Sequence, residues 1–195
     1  MHSNLLRSKT HNCLEIIKAV VIPVLTENKP ADRIVASFFK ANKKYGSKDR
    51  KFLYEIVFSL FRWMGWTRYL ADTSDNHPGE IFKNMPDRKI FLMVTVSSLL
   101  DQMPESEIIP YWMEEFKIEH LFLNEFKKAR SLKEKAEVFS KLLLSLSISK
   151  EVSPDQLLPD WVYAKIPSDT DRDKFIEYCQ IRPPIWLRVQ TEDDS

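Results

Sequence analysis

Apolar residues recur at helical spacing along most of the chain. Cys13, Ile17, Val20 and Val24 fall on one face of a first segment, with Glu15 and Lys18 on other faces. Pro30 stands where a second helix can begin, and Ile34, Val35, Phe38 and Phe39 give it a buried stripe. Tyr45-Gly46 is expected to close that helix, with Gly46 in the left-handed conformation. Ser47 then caps a long third helix to about Leu70, with Phe52, Ile56, Leu60, Trp63 and Met64 facing inward. Residues 5–70 are thus predicted to form three helices and no strand.

The region 88–103, with its run IFLMVTVSSLL, reads as a buried helix. Pro104 opens another, which Pro110 should break or restart. Further on, Ser131-x-x-Glu134 and Ser153-Pro154-x-Gln156 have the form of capping boxes, and Ser168 precedes acids suited to the start of a short helix through Tyr178. After that the prolines of Arg182-Pro183-Pro184-Ile185-Trp186-Leu187-Arg188-Val189 predict an extended segment, and Glu192–Ser195 a frayed end. The expectation is an all-α bundle over residues 1–150, followed by a connector over 151–195.

Composition narrows the function. Only three glycines are present (Gly46, Gly65 and Gly79), and they do not cluster, which argues against a phosphate-cradling loop. Cys13 and Cys179 give no disulfide framework, so a reducing cytoplasm is the expected compartment. No run of about eighteen apolar residues suggests a membrane span or a membrane partner. The net charge of +1 conceals a division. Residues 1–71 hold 13 Lys+Arg against 5 Asp+Glu, whereas residues 72–195 hold 16 against 23. A basic half points to a polyanionic partner, with RNA the leading choice.

That charge concentrates at one corner. Lys40, Lys43, Lys44, Lys48, Arg50 and Lys51 lie within twelve residues around the turn between the second and third helices. Cations so grouped suit several phosphates at once, and phosphate contacts dominate nucleic-acid affinity. The plainer reading is a solvated face. Arg68 is a further candidate for RNA contact, while Arg62 is expected in an internal ion pair with Asp49 or Glu55. Asp49 also suits the positive end of a helix. Phe52, Phe58, Phe61, Trp63 and Trp66 have the composition of a stacking platform, although helical spacing favours core. The four histidines lack partners at metal-ligand spacing apart from His11-x-Cys13, and Cys13 fits better as core. No nucleophile-elbow pattern occurs, so no catalytic residue, metal site or cofactor is assigned within the chain.

Two stretches carry a resemblance. Pro30-Ala31-Asp32-Arg33-Ile34-Val35, Tyr45-Gly46-Ser47-Lys48-Asp49-Arg50 and Ile56-Val57-Phe58 through Arg62 resemble the NusB-like N-terminal domain of RsmB/Sun-type rRNA cytosine-5 methyltransferases. Leu158-Pro159-Asp160-Trp161-Val162 and Arg182–Val189 are similar to the segments that introduce the methyltransferase part in that family, with Gln190 where the family has asparagine. The resemblance implies a NusB-like fold, an rRNA partner and, in the full-length family, S-adenosylmethionine and two catalytic cysteines. Neither Cys13 nor Cys179 stands in a comparable motif. The expectation is therefore an RNA-targeting half without its catalytic part, from a truncated or split gene or a stand-alone protein, with a methyltransferase domain possible in trans. The alternatives are a NusB-type transcription antitermination factor and a helical protein-interaction module.

Overall fold

The computed structural model describes residues 2–71, 82–103 and 107–181. These residues are helical or in turns, with no strand among them, so the all-α class holds. The extended segment 182–190 and the tail lie outside the described residues.

The first half follows the apolar pattern closely. Helix α1 (His2–Glu27), α2 (Ala31–Ala41) and α3 (Ser47–Thr67) are followed by a 3-10 turn over Arg68–Ala71. Cys13, Ile17, Val20, Val35, Phe39, Ile56, Leu60 and Trp63 are buried; Val24, Ile34, Phe38, Phe52 and Met64 are half-buried against the same core. Pro23 lies inside α1, one turn before its end.

The second half contains α4 (Asp87–Leu100), α5 (Ile108–Glu115), α6 (His120–Lys128) and α7 (Leu132–Ser145), then the short α8 (Asp160–Tyr163) and α9 (Arg172–Gln180). Pro110 does not interrupt α5. It is the third residue, where a backbone N–H has no intrahelical acceptor and its loss costs nothing. The Ser131–Glu134 capping box heads α7, with reciprocal bonds of 3.2 and 3.1 Å. At Ser153 the N–H donates to Gln156 Oε1 at 3.1 Å, but only a 3-10 turn over Pro154–Gln156 follows. The acids expected at the start of the last helix are in place: Asp171 caps α9, accepting from the Lys174 N–H at 3.2 Å, and Asp173 lies in its first turn. A carboxylate directly before a helix reaches the free N–H groups of its first turn.

Helix α3 is the central element, and α4 is its main neighbour. Small buried residues (Ser59, Thr67, Thr95, Ser97 and Ser98) line these two helices, and Ser59 Oγ donates to the Ser97 carbonyl at 3.0 Å. One end of the contact is fixed by charge. Arg62 grips Asp101 through Nε at 3.0 Å and Nη2 at 2.7 Å, and Trp63 Nε1 donates to the same carboxylate at 3.2 Å. This corrects the expected pairing of Arg62 with Asp49 or Glu55. Those residues lie on earlier turns of the same helix, while Asp101 caps the C-terminus of α4 beside it. Lys135 from α7 donates to the Leu100 carbonyl at 2.8 Å and stands 4.8 Å from the Trp63 ring centroid. Desolvation lowers its pKa, with attraction to Asp101 opposing the shift.

The connector is seated on the far end of α3. Trp66 Nε1 donates to the Ser153 carbonyl at 2.8 Å, and Leu157 is buried. Gly65 makes this possible. A Cβ there would overlap the carbonyl oxygens of Gln156 and Leu157 and come within 2.6 Å of Leu157 Cα.

Candidate nucleic-acid interface

The corner between α2 and α3 is organised by an aromatic anchor. Helix α2 ends at Ala41, and Asn42 closes it by donating from both its N–H and its Nδ2 to the Phe38 carbonyl at 2.9 Å. Three residues later the chain buries Tyr45, stacked on Phe38 with ring centroids 5.9 Å apart and edge-on to Phe39 at 6.1 Å. The phenol donates to Glu15 Oε2 of α1 at 3.0 Å, with the Asn12 carboxamide oxygen 3.3 Å away. Gly46 is the N-cap of α3 with φ −71° and ψ 172°, so the expected left-handed closure of α2 does not occur. Ser47 is the first helical residue and makes no cap bond. The buried ring and the Asn42 bonds define the turn, leaving no need for a positive φ.

This anchoring divides the candidate cations. Lys44 Nζ lies 3.2 Å from Glu15 Oε2 and 5.0 Å from the Tyr45 ring centroid. Burial works against ionisation of Glu15, but hydrogen bonds from Lys44 and Tyr45 outweigh it and hold the carboxyl below its usual range. The Lys44 pKa is raised, chiefly by its bond to Glu15. Arg50 Nε donates to the Tyr45 carbonyl at 2.9 Å, and its guanidinium lies 5.8 Å from the Phe39 ring centroid. Both side chains thus help to hold the turn. Lys40, Lys43, Lys48 and Lys51 are exposed and make no hydrogen bond or ion pair among the described residues. Lys40 lies in the last turn of α2, where a cation also suits the helix dipole.

Arg68 does not join them. It lies twenty residues beyond Lys48 along α3 and its continuation, about 30 Å at the rise of an α-helix. Its guanidinium is 5.1 Å from the Tyr69 ring centroid, with Nη2 3.2 Å from the phenol oxygen.

The aromatic set also divides. Trp63 and Trp66 are fully buried, their rings tilted by 42° to one another with centroids 5.5 Å apart, and Trp66 stacks on Phe139. Phe52, Phe58 and Phe61 are half-buried, and Tyr54 is 46% exposed. Sequence reasoning missed Tyr45 as anchor and Glu15 and Asn12 as its supports. Asn12 and Glu15 are three apart on α1 and so share a face, but no local pattern ties them to a tyrosine thirty residues later.

Nothing among the described residues groups three or more metal-ligating side chains. His11 is exposed, whereas Cys13 is buried and desolvation pushes its thiol far up. An open groove of about 750 Å³ runs between α7, the 151–155 loop and α9. Its lining sets Glu137, Glu151, Asp155, Asp173 and Glu177 against Lys133 and Lys141, a balance opposite to that of the corner. No described helix is long and apolar enough to cross a membrane.

No family model, curated protein or solved structure matches the chain.

Proposed function

We propose that the α2–α3 corner binds RNA, and that the chain serves as the NusB-like, rRNA-targeting domain of an RsmB/Sun-type cytosine-5 methyltransferase system. The observation that carries this reading is the set of four exposed cations, Lys40, Lys43, Lys48 and Lys51, around one turn that Tyr45, Lys44 and Arg50 hold in shape. Charges on a shaped turn can meet successive phosphates without first ordering the chain. In this reading S-adenosylmethionine chemistry belongs to the catalytic domain of that system, and the protein works in the cytoplasm. The likeness of 158–162 and 182–189 to a methyltransferase leader favours this role over that of an antitermination factor.

The test is equilibrium binding to single-stranded and rRNA-derived RNA across a salt series. Replacing Lys43, Lys48 and Lys51 together by Ala should weaken binding and flatten the salt slope by roughly 0.7 for each single-strand phosphate that is no longer neutralised. Helical circular dichroism should not change. Equal affinity of parent and variant at every salt concentration would remove the corner from the interface.

A second reading, docking onto another polypeptide, is favoured by Trp161, Tyr178 and Ile181, which are 70%, 71% and 58% exposed in the connector. Large apolar side chains so exposed suit a protein partner when they form one patch. Salt-independent association with a protein, without RNA binding, would give that reading the lead.

A further inference from the structure

We infer that Tyr54, braced by Phe58, is a base-stacking site, and that RNA held by the corner is single-stranded where it passes along α3. This inference rests on the RNA-binding reading above.

Lys51, Tyr54 and Phe58 follow one another at spacings of three and four on α3, and Lys48 stands one turn before Lys51. Residues so spaced form one ridge, with neighbouring Cβ atoms about 5–6 Å apart. A nucleotide whose phosphate meets Lys51 therefore has its base within reach of the Tyr54 ring. The ring is prepared for it. Its centroid lies 4.3 Å from that of Phe58 with the planes inclined by 31°, so Phe58 supports one face while the residue as a whole remains 46% exposed. Phe61 continues the row, 6.4 Å beyond Phe58. A braced ring loses little freedom when a base settles on it.

A lone exposed tyrosine would need no explanation. The alignment of this one with unpartnered lysines distinguishes it, because that pairing of positive charge and open ring matches the two faces of a nucleotide. An A-form duplex keeps its bases stacked on one another, so no base face is open to a side-chain ring. The ridge consequently selects single strands over duplex while tolerating any base.

The test uses the full chain with three labelled RNAs of about 12 nucleotides, a length within the usual range of single-strand sites. These are a single strand, the same strand with abasic positions, and a duplex. Tyr54→Ala should weaken binding of the intact strand by about 5- to 150-fold, leave the abasic strand and duplex little changed, and keep the parent's salt slope. Tyr54→Phe should bind as the parent does, and circular dichroism should match for all three proteins. If Tyr54→Ala binds the single strand as tightly as the parent, while the lysine variant does not, stacking is refuted and the basic corner stands. An equal loss for intact and abasic strands also refutes stacking, because the ring then meets the backbone. If the parent shows no salt-dependent RNA binding, the RNA reading fails and this inference fails with it, leaving the ridge to a protein partner.

Discussion

Gly65→Ala is the sharpest test of how the connector sits on the bundle. In an exposed helix the change would help by about 1 kcal/mol, because alanine is the better helix former. Here the added methyl would be forced against the backbone of Gln156 and Leu157, which cannot swing aside as a side-chain end can. The turn over 154–156 must lift. With it go the Trp66–Ser153 hydrogen bond, about 1 kcal/mol net, and the burial of Leu157, about 1.5–3 kcal/mol. Set against the gain in propensity, the expected loss is about 2 kcal/mol, or roughly 4–8 °C in Tm for a chain of this size. Thermal unfolding by circular dichroism gives the sign, and hydrogen exchange gives the location, which should centre on 153–157. Gly46→Ala is the control. Its Cβ would meet nothing closer than Asp49 Oδ2 at 3.8 Å, so it should lose only the modest N-cap preference, under about 1 kcal/mol. A Gly65→Ala protein more stable than the parent, with unchanged exchange at 153–157, would refute the reasoning.

Two other perturbations probe the framework. Asp101→Ala strands the largely buried Arg62 guanidinium and should cost about 3–5 kcal/mol in denaturant unfolding, whereas Arg62→Met with Asp101→Leu should recover much of that; an Asp101→Ala loss below about 1 kcal/mol would deny the pair its role. At the corner, the lowered Glu15 pKa means its contribution is complete above the ordinary carboxylate range and is lost as pH falls through the depressed value. The raised Lys44 pKa means its contribution is complete below the usual lysine value and is lost as pH rises through the elevated one. Tyr45 and Lys44 amide shifts followed by NMR should therefore be flat between those limits and move in acid, and Glu15→Gln should abolish the acid step. Identical acid limbs for the two proteins would overturn this.

Much of the helical plan was legible because burial imposes a period on the sequence. Val20, Ile56 and Leu60 face inward as their spacing demands, and the Ser131–Glu134 box is a local device visible in four letters. Helix ends were harder. Helices α4, α5 and α7 close with Gln102, Lys117 and Ser147 at φ 48°, 56° and 63°, each completing paired C-terminal turn bonds such as Ile148 N–H to the Leu143 carbonyl at 2.8 Å. Glycine is the usual signal for that conformation, and this chain lacks it there, carrying a strain of roughly 1–2 kcal/mol at each such residue. The six candidate cations were visible as a cluster, but their division into two that brace the turn and four that make no hydrogen bond or ion pair among the described residues was not. That division depends on Glu15, Phe39 and Tyr45 meeting in space. Likewise nothing around Arg62 announces Asp101, since ion pairs between helices leave no periodic trace.

The position of Gly65 has a mechanical consequence. Lys48 and Gly65 belong to one uninterrupted helix, seventeen residues apart, or about 25 Å along the axis. The helix is a strut with a grip at one end and a mount at the other. Whatever the chain carries beyond Leu157 starts from a point whose distance and bearing from the lysines are set by a residue count. One residue inserted between them would lengthen the strut by only about 1.5 Å yet rotate the grip about 100° around it. Reach would survive such a change; aim would not.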